Sequence, residues 1–569
     1  MRFTGAAHRS ICSMMIGKLK FRYRVPFYYF FIELILKCLE EWNVFAKFAL
    51  LFFLMVSFMN KKISLLLFLL MCSKIMLSQP LHITAWDNIS LQKQNKQISF
   101  FPLYYKNTAH TDSLSKIIKH LIFLDHKYAI QHSGKKIAFQ ILPEINIYGG
   151  SDFLNNDFAG TGGVGTHLKA TIGSQLAFEG RFRYSYSALY QYEETFINKH
   201  RINHNGTIVN EKNGRYNYYD TEFYLAWSPS NHFIFEGGFN GNHIGQGYRS
   251  LFLSDRNHNY PYFKITTNVW HFRYTALWMQ LKDIQNNSIS GWNDFPTKYS
   301  AIHYLNWKIN KKWRVGLFEA LIWQAKDEQG VRGFEINYLN PIIFFRPVEF
   351  TLGSPDNAMM GMDISFSTDN TLIYFQMLLD EFKLDEIKAM NGWWANKQSF
   401  QIGWKEYDIL NTNGLNSQLE INFIRPFMYT HFSTLQSYGH YNQPLAHPLG
   451  ANVVEGIYRI NYQANRWNFM FHNSLAYYGT DPKGENYGGD VFKDYNTRTQ
   501  DYDNYIGQGL TNTLLTNHLQ ANYLIDPVSE LQLFAEIGSR LHFIEKDSKH
   551  FLYFNFGVTT GFDGRVFDF

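Results

Sequence analysis

Cysteine is nearly absent: the 569-residue chain has three, Cys12, Cys38 and Cys72, and none follows residue 72. Beyond the leader, neither a disulfide nor a thiolate metal site is therefore available. A mean hydropathy of −0.27 leaves no room for a fold dominated by lipid-embedded helices. A basic surplus is missing as well. Of 53 Lys and Arg and 48 Asp and Glu, residues 1–78 hold 11 and 3, leaving 42 bases against 45 acids. That balance excludes a nucleic-acid surface. Catalytic signatures are also missing: there is no His-Glu-x-x-His, no Gly-x-Ser-x-Gly and no phosphate-binding Gly-x-x-x-x-Gly-Lys-Ser/Thr. The glycines of 237–247 precede no helical pattern and read as a hairpin loop. The chain is expected to be non-enzymatic and to need no cofactor.

Aromatic residues, by contrast, are abundant. They make up 18% of the chain, with 37 Tyr, 51 Phe and 13 Trp, which suits a fold that needs two aromatic girdles. From Lys136 onward short runs alternate in polarity. In 552–562, Phe554, Phe556, Val558, Thr560 and Phe562 share one face, while Tyr553, Asn555, Gly557, Thr559 and Gly561 share the other. In 531–541 one face is Leu531, Leu533, Ala535, Ile537 and Leu541, against Gln532, Glu536, Gly538 and Arg540. One greasy face and one small or polar face fit a wall between lipid and a wet lumen. A soluble β-sandwich can also alternate, so loop lengths decide. Tight turns at 228–231, 310–312, 368–370, 464–465 and 526–529 separate long polar loops at 191–215, 240–260, 380–396, 427–452 and 478–512. Short turns on one rim and long loops on the other are the outer-membrane pattern.

The expected fold is all-β: an antiparallel transmembrane outer-membrane β-barrel of about 16–18 strands over 135–569. With the last strand running toward the periplasm, turns 368–370, 464–465 and 526–529 face the periplasm and loops 427–452 and 478–512 face outward. Between 261 and 345 not every reversal can be placed. Residues 79–134 form a small N-terminal periplasmic or plug segment, helical where Leu114, Ile117, Ile118, Leu121 and Leu124 share a face. Residues 59–78 have the form of a signal peptide, with Lys61 and Lys62 before the short apolar run 63–71. Residues 1–58 read either as a membrane anchor or as an extension upstream of a true start at Met59, and the second reading is adopted. Gly564, Phe567 and Phe569 form an ending that resembles the insertion signal recognised by the outer-membrane assembly machinery.

Three stretches carry a family resemblance: 338–357, which includes Asn340-Pro-Ile-Ile-Phe-Phe-Arg-Pro; 440–452, His-Tyr-Asn-Gln-Pro-Leu-Ala-His-Pro-Leu-Gly-Ala-Asn; and the closing Phe567-Asp-Phe569. Together they resemble the Wzi-type capsule-assembly barrels and their RemB-type gliding-motility relatives of Bacteroidota. The resemblance implies a non-enzymatic outer-membrane barrel that anchors or organises surface or capsular polysaccharide, serves gliding alongside motility surface proteins, or both. The alternative is a general diffusion channel, a porin.

Candidate glycan contacts are Arg346, Glu349 and Asn357 in the first stretch, and His440, Tyr441, Asn442, Gln443 and His447 in the second. The prolines of 338–357 exclude a plain central strand and suggest an ordered loop turned inward to narrow the lumen. Its charges read either as contacts to an acidic glycan or as an ion-pair network bracing a constriction, and the second reading is preferred. Pro444 separates His440 from His447 and no carboxylate lies nearby in sequence, so no metal is expected. Loop 478–512, rich in Tyr, Asp and Asn, reads either as a glycan-stacking surface or as a solvated loop.

Overall fold

The computed structural model describes residues 130–133, 568–569 and 137–560, the last without 174, 205, 213, 286–294, 328–329, 341–342, 345–355, 527–528 and 546. The expected signal peptide, upstream extension and 114–124 helix lie outside these residues.

Strands β1 (Ile137–Asp152), β2 (Asp157–Ile172), β3 (Leu176–Ala188) and β4 (Arg215–Trp227) begin the sheet. Next come β5 (Phe233–Asn240), β6 (Tyr260–Val269), β7 (Phe272–Lys282), β8 (Thr297–Lys308) and β9 (Trp313–Gln324). They are followed by β10 (Asn357–Ser367), β11 (Thr371–Leu379), β12 (Gln398–Glu406), β13 (Leu415–Ile424) and β14 (Val453–Ala464). The last are β15 (Trp467–Thr480), β16 (Leu510–Asp526), β17 (Leu531–Ile544) and β18 (Asp547–Thr560). Each pairs antiparallel with the next, and β18 returns to β1 from Asn146↔Thr559 to Asp152↔Tyr553. The sheet has 20 strands; without the short flanking strands Ile130–Ser133 and Thr207–Lys212, 18 close the barrel.

Alternation sets the two surfaces. Phe554, Phe556 and Ile537 face outward and are exposed, whereas Tyr553, Asn555 and Gln532 face inward and are buried. Six exposed tryptophans, Trp227, Trp270, Trp307, Trp313, Trp404 and Trp467, ring the short-turn rim. An indole there places its apolar body in lipid and its N–H toward water.

The stretch around residue 338 departs from expectation. Ile336–Leu339 lies against the outer wall of β7–β9 and does not turn into the lumen. The Tyr338 ring sits 4.7 Å from that of Trp323, and Trp278 Nε1 donates to the Tyr338 carbonyl at 2.9 Å. Beneath this strap, the outward-facing Glu319 accepts from the backbone N–H of Phe344 at 2.8 Å. The wall there carries carboxylate and imidazole, Glu319 and His303, which would be costly against lipid. Arg332 braces the strap by a two-pronged ion pair to Asp356, both bonds 2.7 Å.

Candidate functional site

Loop 241–259 leaves the end of β5 and folds into the lumen. Its centre, Arg249, is fully buried and meets carboxylates from the wall and from the chain's last residues. Glu455 on β14 accepts from Arg249 Nε and Nη2 at 3.1 and 3.0 Å, and Asp568 pairs with Nη1 at 3.0 Å. Glu420 on β13 accepts the backbone N–H groups of Tyr248 and Arg249 at 2.7 and 3.1 Å, together with the Tyr374 hydroxyl at 2.6 Å. Beside this polar knot the loop is apolar: Leu251, Phe252 and Leu253 are wholly buried, and Phe252 stacks on Phe318 of β9 at 4.4 Å. Ions this deep are tolerable only when fully paired. The pairing therefore fixes one position of the loop.

Loop 425–452 holds most of the sequence-predicted contacts, and each is bonded within the chain. His440 is buried; its Nδ1 accepts from the Lys282 backbone N–H at 3.0 Å, and Nε2 lies 3.3 Å from the Asn259 carbonyl. Burial pushes its imidazole pKa down to about 3, so it stands neutral. Tyr441 and Asn442 adopt positive φ, 54° and 58°, between the short strands Gly439–His440 and Gln443–Pro444. They form a tight two-residue hairpin turn. Asn442 donates to the His200 carbonyl at 2.9 Å, and Gln443 Oε1 accepts from the His258 N–H at 2.7 Å. His447 Nε2 reaches Glu455 at 2.7 Å. Asn357 on β10 donates to the Gln436 carbonyl at 2.9 Å. Arg346 and Glu349, like Gly564 and Phe567, lie outside the described residues. Phe569 packs 5.9 Å from Phe196 within the barrel mouth.

Loop 481–509 closes over these segments. Trp394 meets Tyr495 at 4.8 Å and the Arg498 guanidinium at 4.3 Å, and Tyr502 and Tyr505 remain exposed. Among the described residues, no group of three His, Cys, Asp or Glu is placed to hold a metal ion.

Within the lumen a cavity of about 140 Å³ remains between β1–β4, β16–β18 and helix α1 (Gln191–His200). The helix starts at Tyr190, whose N–H donates to Glu193 at 3.0 Å and whose hydroxyl donates to Asn555 at 2.8 Å. A Cβ at Gly150 would collide with Asn555 and with the Tyr190 hydroxyl, so glycine there permits the contact. Gly538 likewise leaves room for the ring of Tyr553, its cross-strand partner. Tyr190 lies 5.2 Å from Tyr553 and 5.9 Å from Tyr192, giving an aromatic wall. His518 Nδ1 is 2.8 Å from the Tyr553 hydroxyl and 3.2 Å from Glu536. Burial pushes the Glu193 carboxyl up to about 7.

Sequence reasoning placed none of these lining residues in a site. The inward Tyr553 and Asn555 were recognisable from alternation, but the helix was hidden in what reads as a polar outer loop. No family model matches the chain, and neither does any curated protein. Solved structures with a similar barrel include Wzi of Escherichia coli, described as an outer-membrane protein involved in group 1 capsule assembly and a carbohydrate-binding β-barrel. It is 12% identical, with 80% of this chain and 90% of that chain covered, at a TM-score of 0.47. The outer-membrane protein OprD of Pseudomonas aeruginosa is 11% identical over 74% and 92% of the two chains, with a TM-score of 0.38. OccK7 of the same organism is 8% identical over 75% and 98%, with a TM-score of 0.39.

Proposed function

We propose that this barrel holds cell-surface polysaccharide at the outer membrane without catalysing a reaction, its long-loop rim outward and its short-turn rim toward the periplasm. The observation that carries the reading is a lumen filled by loop 241–259, pinned through Arg249, beside a chamber walled by tyrosine, amide and carboxylate. A wide diffusion channel needs an open bore, whereas tyrosine faces and amides suit the apolar and hydroxyl faces of a sugar. The motif resemblance at 338–357 and 440–452 points the same way and extends it to capsule retention, gliding motility, or both. The partners would then be outer-membrane lipid, surface or capsular polysaccharide and motility surface proteins, with the assembly machinery inserting the barrel.

The test combines a deletion strain with purified protein. Loss of the gene is expected to lower polysaccharide retention or cell spreading while small-solute uptake stays unchanged. Protein reconstituted in planar bilayers is expected to conduct little. A large, steady conductance with normal polysaccharide retention would replace this reading with the channel.

A further inference from the structure

We infer that the lumenal chamber beside helix α1 binds a single pyranose unit of a neutral or ammonium-bearing sugar and rejects uronic acids. The inference rests on the functional reading above and names its ligand class.

Size comes first. The 140 Å³ cavity is close to the roughly 150 Å³ that takes one benzene-sized ring. That is room for the ring of one sugar unit and well below that of a disaccharide. Its lining holds the aromatic side chains of Tyr190, Tyr192 and Tyr553, suited to a sugar's C–H groups, and the amides of Gln520 and Gln532, suited to its hydroxyls. His518 also lines the chamber, its ring held in the wall by Nδ1 contacts to the Tyr553 hydroxyl at 2.8 Å and to Glu536 at 3.2 Å.

Charge then decides among sugars. Two carboxylates, Glu193 and Glu536, line the chamber. Of the nearby arginines, Arg183 is paired with buried Asp220 at 3.4 Å, and Arg540 lies over the Tyr192 ring at 5.2 Å with its Nη2 donating to the Phe569 carbonyl at 3.0 Å. A uronate would add a third negative charge at short range in a poorly screened space. An ammonium group would instead find two counter-ions.

The experiment uses the full chain in detergent, with methyl glucoside, methyl 6-amino-6-deoxyglucoside and methyl glucuronide as probes at pH 8, read by calorimetry and saturation-transfer NMR. The first two are expected to bind, and the glucuronide at least about tenfold more weakly, a difference of about 1.4 kcal/mol. Joint Glu193→Gln and Glu536→Gln substitution is expected to erase most of that gap, and Tyr192→Ala to weaken all three probes. Equal binding of the glucuronide overturns the inference, as does absence of binding by the neutral sugar. If Tyr192→Ala fails to fold, the glutamine pair still decides. Retention of native polysaccharide, measured on the same preparations, separates the two readings: retention without monosaccharide binding overturns the chamber and leaves the proposed function standing.

Discussion

Arg249 and Glu455 lie 206 positions apart in the chain and meet inside the barrel through two hydrogen bonds of 3.1 and 3.0 Å. The fork of a guanidinium matches a carboxylate in this way and an ammonium does not. Arg249→Ala would leave Glu455 and Asp568 buried without their cation, at a cost of about 3–5 kcal/mol. A lower unfolding midpoint in urea is expected, with a conductance above that of the parent barrel as loop 241–259 leaves the lumen. An unchanged midpoint and an unchanged conductance would show that the loop is held by its apolar contacts instead.

A second test concerns the chamber wall. Tyr190→Phe removes only the hydroxyl that reaches Asn555 at 2.8 Å. The expected loss is about 0.5–1.5 kcal/mol of stability, the net worth of one hydrogen bond. Gly150→Ala should cost more, because its Cβ meets Asn555, the Phe554 carbonyl and the Tyr190 hydroxyl together. Thermal unfolding of both variants ranks them; the reverse order would mean that the chamber relaxes around a methyl group.

These residues also mark how far the sequence could be read. Around β17 and β18 the period-two contrast is sharp, because lipid lies on one side and a polar chamber on the other. The barrel class and the two rims follow from such stretches, and a strand number of about 16–18 from the length of the barrel segment. Between 261 and 345 the contrast fades for a physical reason. In β7–β9 the inward residues Leu277, Ile302 and Phe318 pack against loop 241–259, while the outward Trp278, Leu321 and Trp323 are covered by the strap around Tyr338. With both faces apolar, alternation carries no signal. The loop contacts were harder still. His440 and Asn442 look like ligands for hydroxyl groups in a list of residues, yet their partners are Lys282, Asn259 and His200, far away in the chain.

Asp380 makes a prediction in pH. It lies at the start of the loop after β11, 3.8 Å from Lys397 Nζ and accepting the Tyr429 N–H at 3.2 Å. Burial outweighs the lysine and pushes its carboxyl up to about 7, from an ordinary value of 3.8. The fold thus favours the protonated acid. Its stabilising contribution is complete below about pH 4 and is lost as the pH rises through about 7. Hydrogen exchange at the Tyr429 amide should accelerate between pH 5 and pH 8 beyond the intrinsic base-catalysed rise. Asp380→Asn should abolish that excess. An excess of the same size in the variant would assign the effect to another group.

The barrel seam supplies the last prediction. Among the described residues, pairing of β1 with β18 runs no further than Asn146↔Thr559, and the short strand Ile130–Ser133 pairs with the β1 edge at Ala138–Ile141. Ile145 falls in the gap. Its N–H donates to the Thr560 hydroxyl at 2.7 Å, and that hydroxyl donates back to the Ile145 carbonyl at 3.3 Å. One side chain thus stands in for a missing ladder pair at the point where a barrel can least tolerate unpaired backbone. Thr560→Val keeps the shape and removes both bonds, so it should cost about 1–3 kcal/mol. Thr560→Ser should cost much less, since the hydroxyl stays. Urea unfolding of the two variants, together with hydrogen exchange at Ile145, separates hydroxyl from methyl. If Val and Ser behave alike, water satisfies Ile145 and the seam does not depend on Thr560.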